Sequence, residues 1–294
     1  MFSPRELPAD VEAVRDRHAP NSPVLDVDAD FETLPPAAAE DLGLFVDALA
    51  PASYPDSWLP EDAPELLRRY AGPDFTIGLA GGGTVVRTNQ TDPATLLVKK
   101  RAETTPDDFL ALLNADGLVQ IGVEPNTSSA DRLPESFLPF FGELYPALDR
   151  AVRSPPAPGV DADRGTGEAA DATVDTGYGP NDAFQVANAL FDAWVGLHTR
   201  EVCAEWEGEH PRLYETWVDA GERLTGRLDG LTGEVARGET DFPTATEYAC
   251  SAVRHGLDLP APFDALDTAA YRERGAPYAV KWAEKTFAAM AADE

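Results

Sequence analysis

Lysine is almost missing from this chain. It occurs only at positions 99, 100, 281 and 285, and Lys and Arg together number 23 against 52 Asp and Glu, a formal charge of −29. A surface so acidic repels itself in dilute buffer, whereas molar salt shortens the screening length to about 3 Å and removes most of that penalty. The composition is therefore the one expected for a salt-rich cytoplasm. An ordinary acidic protein would have less reason to avoid Lys. The same balance disfavours nucleic acid and anionic membranes as partners.

Cysteine is nearly absent too. Cys203 and Cys250 are the only two, which rules out a disulfide framework. No apolar run approaches the length of a membrane-spanning helix. The opening "MFSPRELPADVEAV" has neither the basic nor the apolar region of a signal peptide. A cytoplasmic location is expected, and the sequons at Asn89 and Asn126 read as chance matches.

Large apolar side chains are scarce from 154 to 180, "SPPAPGVDADRGTGEAADATVDTGYGP". Such a stretch buries too little to offset its ordering entropy, which predicts a flexible acidic linker. It divides the expectation into an α+β domain over 1–153 and a helical bundle domain over 181–294. In the first part, "SPRE" at Ser3–Glu6 is a capping box for a helix to about His18. "PPAAAEDLGLFVDAL" spaces Leu42, Phe45, Val46 and Leu49 for a second helix, and "PELLRRY" for a short third. Strands follow in "FTIGL", "TVVRTNQ" and "ATLLVKKR", then a helix from Thr105 that Gly117 ends, a strand in "LVQIGVE", and a helix in "PESFLPFFGELYPAL". The expected class is α+β, an N-terminal antiparallel sheet with helices followed by an all-α bundle. Bundle helices are expected from Asn181 or Asp182, from Pro211, around the capping box Thr244–Glu247 with Gly256 as C-cap, and from Ala276.

Glycine is locally abundant in "TIGLAGGGTVVRT", Thr76 to Thr88. "GLAGGGT" has the outer spacing of a phosphate-binding loop, but Thr84 stands where Lys is required. Such a loop must open a helix, and Thr84, Val85 and Val86 are β-branched and favour a strand. A hairpin turn is the reading.

The remaining candidates are small groups. Asp26, Asp28 and Asp30 alternate in "VLDVDADFET" and project to one side of an extended chain. The string resembles the Asp-x-Asp motif of haloacid dehalogenase-type phosphatases, in which the first Asp is the nucleophile and a magnesium ion assists. The Gly and Thr that should follow are missing, and a solvated acidic loop is the simpler reading. An EF-hand is excluded by Phe31 and Ala37, which replace the turn Gly and the bidentate Glu. His198 with Cys203, and Cys250 with His255, could bind zinc if their helices faced each other. Five residues is a poor spacing, however, because the side chains diverge by roughly 140°. Buried packing is the alternative. Arg87, Lys99, Lys100 and Arg101 could receive an anion, against which stands the use of Lys to blunt a sheet edge. Phe137, Phe140, Phe141 and Tyr145 read as core, as do Trp194, Trp206, Trp217 and Trp282.

The stretches "LPPAAAEDLGLFVDAL", "YPDSWLPEDAPELLRRYAGPDFT" and "FLPFFGELY" resemble members of a haloarchaeal family of unknown function, a resemblance that brings no site and no substrate. No complete catalytic constellation is visible and no cofactor is implied. The sequence leans toward a non-enzymatic protein acting on an unknown protein partner, and the question of enzymatic activity stays open. A metal-dependent enzyme or structural zinc protein using the His/Cys set or Asp26–Asp30 is the alternative.

Overall fold

The computed structural model describes residues 1–30, 33–51, 54–69, 77–78, 83–88, 90–123, 140–157 and 172–293. The chain forms two compact units, each assembled from three stretches. Residues 1–54, 69–139 and 198–223 make the first, and 55–68, 140–197 and 224–294 the second. The sequence expectation ran in continuous blocks instead.

The first unit is built on a four-stranded sheet in the order β1 (Phe2–Pro4), β2 (Val24–Val27), β8 (Thr95–Val98), β6 (Val85–Thr88). The α+β class holds, with one change. β1–β2 and β6–β8 are antiparallel, but β2 and β8 run parallel, so the sheet is mixed. A parallel pair needs a long crossover, which local turn signals do not encode. Two short antiparallel pairs flank it: β3 (Thr33–Leu34) with β5 (Ile77–Gly78), and β4 (Ala48–Leu49) with β7 (Thr91–Asp92).

Alternation along the strands sorts side chains to two faces. Val24, Leu96 and Val98 join one cluster with Val11 and Val14 of α1 (Ala9–His18) and with Leu110, Ala111, Ala115, Leu118 and Val119 of α4 (Asp107–Val123). Phe2, Leu25, Val27, Val86 and Leu97 join another with Leu34, Ile77 and Ala38, Ala39 and Leu42 of α2 (Pro36–Leu42).

Several elements differ from expectation for identifiable reasons. Ser3 caps no helix, because Phe2–Pro4 pairs with Val27–Leu25 and α1 begins only after Pro8. α4 does not stop at Gly117 and absorbs the "LVQIGV" expected as a strand. Its glycines serve close approach. A Cβ at Gly117 would lie 2.5 Å from Leu96 Cδ1, and one at Gly122 would lie 2.5 Å from the carbonyl oxygen of His18. The segments either side of the polyglycine stretch do not pair with each other as a hairpin, since β5 pairs with β3 and β6 with β8. Residues 79–82 lie outside the described residues, as do Asn89, Asn126 and Phe137.

The second unit is helical among its described residues. α5 (Tyr145–Arg153) packs against α11 (Ala276–Asp293). It also contains α3 (Glu65–Arg68), the 180–197 part of α6 (Pro180–Glu209), α8 (Leu231–Ala236), α9 (Phe242–Val253) and α10 (Ala269–Arg274). Its core stacks Phe242 on Phe263 at 5.2 Å, with Phe287 edge-on to Phe242 at 5.2 Å. The expected starts at Pro211, for α7 (Pro211–Leu228), and at Ala276 are observed. Asp241, not Thr244, is the N-cap of α9, its carboxylate accepting from Thr244 N at 2.7 Å, while Gly256 turns the chain beyond that helix at φ +62°.

Of the expected linker, 158–171 lies outside the described residues. Its two ends meet. Pro156 bridges Thr173, and Thr176 Oγ1 donates to Val152 O at 2.8 Å and Arg153 O at 3.1 Å. Arg153 forks onto both oxygens of Asp62, at 3.0 and 2.7 Å, and reaches Asp149 at 3.1 Å. Burial pushes the Asp149 carboxyl up against the opposing pull of Arg153.

Candidate functional site

The side chains nominated from sequence are distributed rather than gathered. Asp26, Asp28 and Asp30 each face a different cation: Asp26 the Arg5 guanidinium, Asp28 the N-terminal ammonium at 3.8 Å, and Asp30 Arg101 Nε at 3.1 Å. The backbone N–H and guanidinium of Arg101 hold the Asp30 carboxyl below its usual value.

His198 and Cys203 lie on α6 within the first unit, where Cys203 is buried in the apolar cluster with Trp206 and Leu213. Cys250 lies on α9 within the second unit and His255 just past its end. Burial pushes the Cys250 thiol well above its ordinary value, with Asp192 and Glu247 adding to the effect. Among the described residues no group of three or more His, Cys, Asp or Glu side chains could hold a metal ion.

The basic set is split by burial. Lys99 is 1% exposed and Arg87 7%, Arg101 engages Asp30, and Lys100 is exposed. The edge-protection reading of the lysines fails because β8 is an inner strand, flanked by β2 and β6. Thr84 leads into strand β6 rather than a helix, which removes the helix terminus a phosphate-binding loop requires.

What the structure does present is a turn the sequence reading took for helix. α2 ends at Leu42, and residues 43–47 turn the chain into β4. Leu42 is fully buried, while Leu44, two residues on, is 81% exposed. The turn is held at both ends. Leu44 N donates to Asp41 O at 3.2 Å and Phe45 N to Leu42 O at 2.9 Å, while Asp47 N donates to Asp92 O at 2.8 Å and Ala50 N to Gln90 O at 2.7 Å. Phe45 and Leu49 pack partly against the core cluster, Val46 is half-buried, and Glu40, Asp41 and Asp47 are exposed around them. The result is one exposed leucine on a hydrogen-bonded turn, with exposed carboxylates before and after it in the chain. Sequence periodicity missed it because 42, 45, 46 and 49 satisfy a helical stripe. The available signal was Gly43, where α2 stops; a Cβ there would sit 3.1 Å from Glu40 O.

The fold is that of an α+β protein, its formal charge is −29, Leu44 is exposed on its turn, and among the described residues no helix is long and apolar enough to cross a membrane. The chain belongs to the family of unknown function DUF7089, whose model matches residues 1–290. No curated protein and no solved structure matches it.

Proposed function

We propose that this protein is a non-enzymatic, cytoplasmic, salt-adapted protein of a haloarchaeal cell that acts by binding another protein, with the Leu44 turn as contact point. The observation that carries the reading is the 81% exposure of Leu44 on a turn anchored by buried Leu42 and by β4–β7 pairing. Single exposed leucines are common. This one follows a buried leucine and precedes the partly buried Phe45, Val46 and Leu49, and its backbone is hydrogen-bonded on both sides. A preordered contact loses little conformational freedom on binding, which favours association. The salt adaptation rests on the charge of −29 and the scarcity of Lys.

A photo-crosslinking side chain at position 44, activated in native high-salt extract, is expected to give discrete protein adducts. The same group at Glu215, exposed on α7, is expected to give none. Equal labelling from both positions, or none from either, removes the reading.

A further inference from the structure

We draw no further inference here: the strongest candidate, the side-chain cluster of Asp26, Asp28, Asp30 and Arg101 at the carboxyl ends of the parallel strands β2 and β8, carries nothing because its three carboxylates already face Arg5, the N-terminal ammonium and Arg101, and among the described residues nothing points to a ligand there.

Discussion

Arg212 grips both carboxylate oxygens of Asp10, Nη2 to Oδ1 at 2.7 Å and Nε to Oδ2 at 2.8 Å. Its remaining nitrogen, Nη1, reaches Asp108 Oδ1 at 3.3 Å. One guanidinium thus ties α7 to α1 and to the first turn of α4. Lys cannot reproduce that fork. Arg212→Lys is expected to cost about 1 kcal/mol, since both partners stay partly exposed. Urea unfolding at low and high salt checks it, and the loss should shrink as salt rises.

Acid should destabilise the protein in two stages. His18 is held below its ordinary value of 6.5, chiefly by burial and next by Arg17. The unfolded chain therefore takes up that proton first, so the contribution is complete above about pH 6.5 and is lost as pH falls through the lowered value. At Asp10 burial pushes upward, but the Arg212 hydrogen bond, the Val11 N–H and the Arg212 charge outweigh it and leave the carboxyl below 3.8. That contribution is complete above 3.8 and disappears at lower pH. A melting-temperature series is expected to be flat near pH 7.5 and to bend downward from about 6.5. His18→Gln should remove the first bend and leave the second.

Neither thiol should react in the folded protein. Cys203 and Cys250 are both buried thiols outside any disulfide, and burial disfavours the Cys250 thiolate. A thiolate is the reactive form. A chromogenic disulfide reagent is expected to label neither cysteine under native conditions and both in denaturant. Fast labelling of Cys250 in the folded state would contradict the packing described for α9.

Glycines on the helices should separate into two behaviours. Gly122→Ala drives a methyl group into the backbone of His18, where a Cβ would meet the carbonyl oxygen at 2.5 Å, and should cost about 2–3 kcal/mol. Gly117→Ala meets the Leu96 side chain, which can turn aside, and should cost less. Gly208→Ala has nothing within 4 Å and should stabilise by about 0.5–1 kcal/mol. Thermal unfolding of the three variants gives the ranking directly.

Legibility of the fold in the sequence followed the range of the interaction. Helix starts at Pro180, Pro211 and Ala276 are announced by prolines or by a preceding glycine, within a few residues of the event. The length of α4 was misread because Gly117 has a packing reason that lies at Leu96, far along the chain. The hairpin across the polyglycine stretch failed for the same cause, since the partners of β5 and β6 lie at Thr33–Leu34 and Thr95–Val98. Lys99 resembled an edge residue until the parallel pairing of β2 with β8 enclosed it. At the candidate site, Glu40, Asp41 and Asp47 were visible as acidic letters. The exposure of Leu44 was hidden behind a spacing that suits a helix equally well.

The stretch 198–223 belongs to the same unit as the sheet and supplies Cys203, Trp206 and Leu213 to its interior. A gene fragment cut at codon 153, the place composition invites, would encode the strands without those three side chains. The bared apolar floor would draw such fragments into precipitates, so expression work on this chain has to begin from circular permutants or the full reading frame.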